Sequence, residues 1–137
     1  MPVILSDTDF LIKVTSKPLP AMAEFLESSG FQLVTLPKIV EELRGLALSK
    51  KPATARKARA ALSSLENGGV KLLSEGIILS RKETDADALL IEFVAKSSNK
   101  GQVVVATLDH SLLSVLERRR LPYLTLRNDR PLYRSFE

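Results

Sequence analysis

The sequence predicts an α/β fold: a three-layer α/β/α sandwich with a mainly parallel central sheet. Three observations carry this reading. Val3-Ile4-Leu5 and Val103-Val104-Val105-Ala106 are short apolar runs of β-formers without polar alternation, as in strands buried on both faces. Between such runs lie stretches with apolar residues at helical spacing. The two patterns alternate along the chain, which is the order that builds a parallel sheet with helices on its faces.

The elements follow in order. Val3-Ile4-Leu5 ends at Ser6-Asp7, and a short helix is expected from Asp9 to Val14. Pro18 and Pro20 mark a loop and a helix start; Met22, Phe25 and Leu26 have helical spacing, and Gly30 is a stop. Leu33, Val34 and Leu36 supply a second strand. Pro37 suits the first turn of the next helix, where a missing N–H costs nothing, and Ile39, Leu43 and Leu46 form its apolar stripe. After the break at Lys50-Lys51-Pro52, Ala58, Ala61, Leu62 and Leu65 face inward on a further helix that Asn67-Gly68-Gly69 ends. One of the runs 70–73 and 77–79 is a strand. Thr84 opens a helix through Leu89, Leu90, Phe93 and Val94 that closes near Asn99-Gly101. The strand at 103–106 precedes a helix with Leu112, Leu113 and Leu116, and Pro122 leads into a last strand, Tyr123 to Leu126. A single domain over residues 1–130 and a loose tail at 131–137 are expected.

Bulk properties narrow the function. A chain of 137 residues, 45% of them apolar, holds one compact core. No apolar run approaches the ~20 residues that span a bilayer. The N-terminus shows no basic stretch followed by an apolar one, so export is not expected. There are no cysteines, which excludes disulfides, thiolate metal sites and cysteine nucleophiles and fits a cytoplasmic location. Net charge is only +4, but it is segregated. Between Arg44 and Glu66 there is no acid, while Lys50, Lys51, Arg56, Lys57 and Arg59 fall there. Arg118, Arg119, Arg120, Arg127, Arg130 and Arg134 form a second basic group. Either is a solvated face or a contact for a polyanion.

Asp7, Glu42, Asp87 and Asp109 recur where strands pass into helices or in first helical turns. An open parallel sheet gathers such positions at the carboxyl edge of its strands. Each acid has a local alternative. Asp7 and Asp109 can cap helices, and Thr84-Asp85-Ala86-Asp87 resembles a capping box. Asp9 stands two residues from Asp7, and one cap does not account for both. At ~100° per residue Glu42 flanks the apolar stripe and Glu41 points away from it. Asp87 heads the row of Ile91 and Val94, whereas Asp85 heads a polar row. His110 beside Asp109 reads as a surface residue. Converging carboxylates repel unless a cation sits among them, so metal-dependent chemistry on a phosphate ester leads.

In Val3-Ile4-Leu5-Ser6-Asp7-Thr8-Asp9-Phe10-Leu11, Pro37-Lys38-Ile39-Val40-Glu41-Glu42-Leu43, Asp87-Ala88-Leu89-Leu90-Ile91-Glu92 and Val105-Ala106-Thr107-Leu108-Asp109, the chain resembles the PIN-domain family of metal-dependent nucleases. It looks most like the short archaeal-type, VapC-like single-domain members, which are similar to toxin nucleases and to rRNA-processing nucleases. The resemblance implies a Mg²⁺ or Mn²⁺ site with the acidic quartet on Asp7, Glu42, Asp87 and Asp109. Asp7, Asp87 and Asp109 would hold the metal, and Thr107 would support it. Family members commonly carry Asn or Ser where this chain has Asp9, so Asp9 is an added acid that bears on metal stoichiometry. The expected activity is endoribonuclease. Lys50, Lys51, Arg56, Lys57 and Arg59 would track single-stranded RNA. Aromatic residues are few, so base stacking should contribute little. The expected partners are RNA, an antitoxin or a ribosome-maturation partner, and a second copy of the chain. Two other readings stay open: a catalytically silent PIN-like module that binds RNA or protein, and a phosphohydrolase or phospho-acceptor with Asp7-Thr8-Asp9 as its nucleophile motif.

Overall fold

The computed structural model describes residues 2–73, 86–96 and 103–136. Among them are six strands and six helices in three layers. The sequence of elements is β1 (Val3–Ser6), α1 (Thr8–Ser16), α2 (Pro20–Ser29), β2 (Gln32–Thr35), α3 (Pro37–Ala47), α4 (Pro52–Glu66), β3 (Lys71–Leu72), α5 (Ala86–Lys96), β4 (Val103–Ala106), α6 (His110–Arg118), β5 (Tyr123–Arg127) and β6 (Arg130–Arg134). The sheet runs β3-β2-β1-β4-β5-β6, parallel except for β6.

The continuous apolar runs became the central strands. In β1, β2 and β4 every residue after the first is buried, so both faces are covered and no polar alternation is possible. Ile4, Leu5, Val104 and Val105 lie at the middle of one contiguous core. Fully burying each such side chain stabilises the fold by roughly 1.5–3 kcal/mol. The helix punctuation also acts as its chemistry demands. Pro20, Pro37 and Pro52 each open a helix. Gly30 closes α2 in the left-handed region at φ 76°, its N–H donating to the Leu26 carbonyl.

Helices α1, α3 and α4 pack on one another, α5 packs on β4, and α2 lies against β6. The first helix begins one residue earlier than the apolar spacing suggests, because Asp7 caps it at Thr8. Of the two candidate runs, 70–73 contains β3; the run 77–79, Thr84, Asp85 and the Asn99-Gly101 stop lie outside the described residues.

One expectation is corrected. Residues 131–134, read as the start of a loose tail, belong to β6, which pairs antiparallel with β5 from Tyr123↔Arg134 to Arg127↔Arg130. Asn128 (φ 53°) and Asp129 (φ 62°) form the two-residue loop between them, both in the left-handed region that a type I′ hairpin requires. Lys13 of α1 and Lys17 just beyond its end hold the Asp129 carboxylate at 3.3 and 3.4 Å. The strand escapes a hydrophobic reading because it is an edge: Arg130, Leu132, Tyr133 and Arg134 are all exposed.

The strand order places β1 between β2 and β4, so the chain winds outward in both directions from the β1–β4 pair. A crevice opens at such a switch point, outside the carboxyl ends of the two strands.

Candidate active site

Asp7 is the first residue beyond β1 and lies at this switch point. Its N–H donates to the Ala106 carbonyl at 3.1 Å, which continues the β1–β4 ladder and brings it level with Thr107. Asp7 is only 7% exposed, and its carboxylate is fixed from two sides. Oδ1 accepts from the Phe10 N–H at 3.0 Å, the helix-capping bond. Oδ2 accepts from the Thr107 hydroxyl, a close contact. Thr107 is fully buried, and its oxygen also accepts the Asp109 N–H at 3.0 Å. One hydroxyl thus joins the ends of β1 and β4.

The electrostatics of Asp7 are unfavourable for its charge. Burial pushes its carboxyl up from 3.8 to about 6. The hydrogen bonds from Thr107 and Phe10 pull the other way, and the negative charges of Asp9 and Asp87 push further upward. Capping alone would therefore be better served by Ser or Asn, which accept the same bond without a buried charge.

The other predicted site residues take distinct places. Asp87 is half-buried in the first turn of α5 and acts on Asp7 through its charge. Asp9 is exposed in the first turn of α1. Asp109 is exposed; it caps α6, Oδ1 accepting from the Ser111 N–H at 2.8 Å. Glu41 and Glu42 are both exposed on α3, and Glu42 accepts a close hydrogen bond from the Thr8 hydroxyl, one residue beyond Asp7. His110 is exposed. Thr8 is therefore a site residue that the sequence did not single out. Thr35 is another: fully buried at the end of β2, it donates to the Ser6 carbonyl at 3.1 Å and ties a third strand end to the same edge. The available signal was a hydroxyl residue at or just past the ends of β1, β2 and β4: Ser6 and Thr8, Thr35, and Thr107.

Carboxylate oxygens are the donors that Mg²⁺ and Mn²⁺ take. The donor set fits such an ion, and the buried, charge-crowded Asp7 is where a cation would relieve most. Among the described residues, however, no three Asp, Glu or His side chains are spaced to bind one ion together. The acids share an edge of the sheet without forming a closed cage.

Lys50 and Lys51 lie at the α3–α4 connection, and Arg56, Lys57 and Arg59 lie on α4; all five are exposed. Ala55, Ala58 and Ala61 are the buried face of α4, which packs on α1 and α3. Arg56, Lys57 and Arg59 consequently ride on the outside of the helix that supports the helices bearing Asp9 and Glu42, and Lys50 and Lys51 stand just before it.

Neither a family model nor a curated protein matches the sequence. Solved structures match the fold. The structure of the PIN domain endonuclease Utp24 superposes with a TM-score of 0.68 over 98% of this chain and 96% of that one, at 17% identity. This chain has a PIN-like fold. A domain of a functionally unknown protein from Methanocaldococcus jannaschii DSM 2661 superposes with a TM-score of 0.58, at 13% identity over 100% of this chain and 97% of that one. The PIN-like frame accounts for the strand order and the mostly parallel sheet. No helix among the described residues is long and apolar enough to cross a membrane.

Proposed function

We propose that the protein is a metal-dependent endoribonuclease that hydrolyses RNA phosphodiester bonds at the β1–β4 switch point. The observation that carries this reading is Asp7: a nearly buried carboxylate, held by two hydrogen bonds, raised to about 6 and crowded by two further acids. A protein retains such a costly group most readily where function uses it. The likeness to a PIN domain endonuclease supports the same class of chemistry.

Asp7, Asp87 and Asp109 would hold Mg²⁺ or Mn²⁺, partly through water, which agrees with the open spacing of the acids. The ion supplies charge neutralisation at the phosphoryl group and an acidified water. Thr107 keeps the Asp7 carboxylate in one orientation. Asp9 adds negative charge beside it. Glu42, positioned by Thr8, would orient the attacking water or take its proton. Lys50, Lys51, Arg56, Lys57 and Arg59 would neutralise backbone phosphates, with single-stranded RNA favoured because one strand must reach the edge. Toxin-type cleavage and RNA processing are both consistent with this chemistry; an antitoxin segment or a ribosome-maturation partner would meet the same edge, and a second copy could frame it.

The open spacing of the acids also favours a second reading, a PIN-like module that binds RNA or protein without turnover. Cleavage of end-labelled single-stranded RNA with Mg²⁺ or Mn²⁺ separates the two. The wild type should cut, and Asp7→Asn and Asp109→Asn should each abolish cutting. Cleavage that survives both substitutions would remove the proposed site.

A further inference from the structure

The second basic group of the sequence is not used by the acidic site. Part of it gathers at the far end of the β5–β6 hairpin, where Tyr123 pairs with Arg134, away from the Asn128-Asp129 turn. Arg118 closes α6, Arg119 and Arg120 lead from it into this corner, and Phe136 lies beyond β6. The guanidinium of Arg134 stands 4.5 Å from the centre of the Phe136 ring and that of Arg120 stands 5.3 Å from it. Tyr123 and Phe136 are 6.4 Å apart, centre to centre. Tyr123 and Phe136 are two of the chain's seven aromatic residues.

Among the described residues, charge balance leaves the corner positive. Glu117 is the acid present among them; it accepts from Arg134 at 3.2 Å and from the Tyr123 hydroxyl at 2.8 Å. Arg118 and Arg119 are exposed, and neither forms an ion pair among the described residues.

Backbone conformation gives an independent observation. Arg120 sits at φ 55°. Its N–H donates to the Glu117 carbonyl at 3.2 Å, and the Leu121 N–H donates to the Leu116 carbonyl at 2.9 Å. This is the paired-bond helix stop whose left-handed position glycine usually fills. Arginine there is strained, and what it gains is a guanidinium over the Phe136 ring. A residue held against its backbone preference points toward use of its side chain.

Arginine planes and aromatic rings together are what unstacked bases settle on, and free arginines beside them take phosphates. We propose that this corner is a second contact for single-stranded RNA, separate from the acidic site: Arg118 and Arg119 bind backbone phosphates, and the Arg120–Phe136–Arg134 stack receives a base. The proposal rests on the RNA reading of the protein, and it revises the expectation that stacking contributes little.

The test is fluorescence anisotropy of a labelled single-stranded RNA twelve-mer with the metal-free protein in EDTA, paired with a Mg²⁺ cleavage assay on the same variants. Arg118→Ala with Arg119→Ala should weaken binding about tenfold at moderate salt and lower the log–log salt slope by about 1.4, the loss of two phosphate contacts. Phe136→Ala should weaken binding roughly fivefold or more. Arg120→Gly is the decisive variant. Relief of backbone strain offsets the lost ring contact, so Tm should stay within about 3 °C of wild type while RNA affinity falls. Variants that bind RNA as tightly as wild type, with the same salt slope, would overturn the contact, as would a double-stranded probe or anionic vesicles losing affinity where the single strand does not. If binding falls as described but no RNA is ever cut, the corner stands and the nuclease reading fails.

Discussion

The carboxyl ends of β1 and β4 and the β5–β6 hairpin handle charge in opposite ways. At the first, a carboxylate is buried, its two oxygens are held by Phe10 and Thr107, and like charges lean on it from Asp9 and Asp87. At the second, arginines stand in water, and the ion pairs of Glu117 and Asp129 are solvent-exposed. Exposed pairs of that kind add little to stability. The contrast teaches where this fold gives up stability. It does so at one residue just past the innermost pair of strands, where the surrounding core is strong enough to hold an unfavourable group in place.

The sharpest break in the comparison is packing. Leu5 is fully buried in β1 and Leu132 is 46% exposed in β6. Leu5→Ala should cost about 2–5 kcal/mol by urea denaturation, and Leu132→Ala about 0.5 kcal/mol or less. Similar losses at the two positions would mean that the hairpin is part of the core.

The next effect is electrostatic and has a definite sign. The folded-state carboxyl of Asp7 is raised from 3.8 to about 6, so between these values the folded protein binds more protons than the unfolded chain. Stability should therefore fall as pH rises from about 4 to 6 and stay level above that, as far as Asp7 is concerned. Two pKa units correspond to roughly 3 kcal/mol. Asp7→Asn should accordingly stabilise the metal-free protein by up to about 3 kcal/mol at pH 8, and the gain should vanish below pH 4. A destabilised Asn variant at pH 8 would show that the charge is already compensated within the chain.

A smaller effect isolates the hydroxyl between the strands. Thr107→Val removes the donor to Asp7 and the acceptor of the Asp109 N–H. It should cost about 1–3 kcal/mol and move the Asp7 titration upward, because that bond holds the carboxyl down. Carboxyl NMR titration reads this directly; an unmoved Asp7 would contradict the contact.

Much of this was legible in the residues, for reasons that differ by element. The strands at 3–6 and 103–106 were plain because burial on both faces demands uninterrupted apolar residues. The two-residue strand at 71–72 was ambiguous because so short a pairing leaves no period to read. Strand β6 was missed because an edge strand that faces water needs no apolar pattern, and its Asn-Asp loop is a weaker hairpin signal than Asn-Gly. Asp7 was visible as an acid at a strand-to-helix junction. The bonds from Thr8 to Glu42 and from Thr35 to Ser6 were not, since they join residues 34 and 29 positions apart and depend on sheet register. The aromatic corner around Phe136 was hidden for the same reason.

The most direct test is Mn²⁺ titrated into isotopically labelled protein, followed by paramagnetic broadening of side-chain carboxyl resonances. The signals of Asp7, Asp9, Asp87 and Asp109 should broaden together at sub-stoichiometric Mn²⁺, with Asp7→Asn abolishing the effect at the others. Broadening scattered over surface acids such as Glu24 and Glu66, with Asp7 unaffected, would contradict a cation site at the β1–β4 edge.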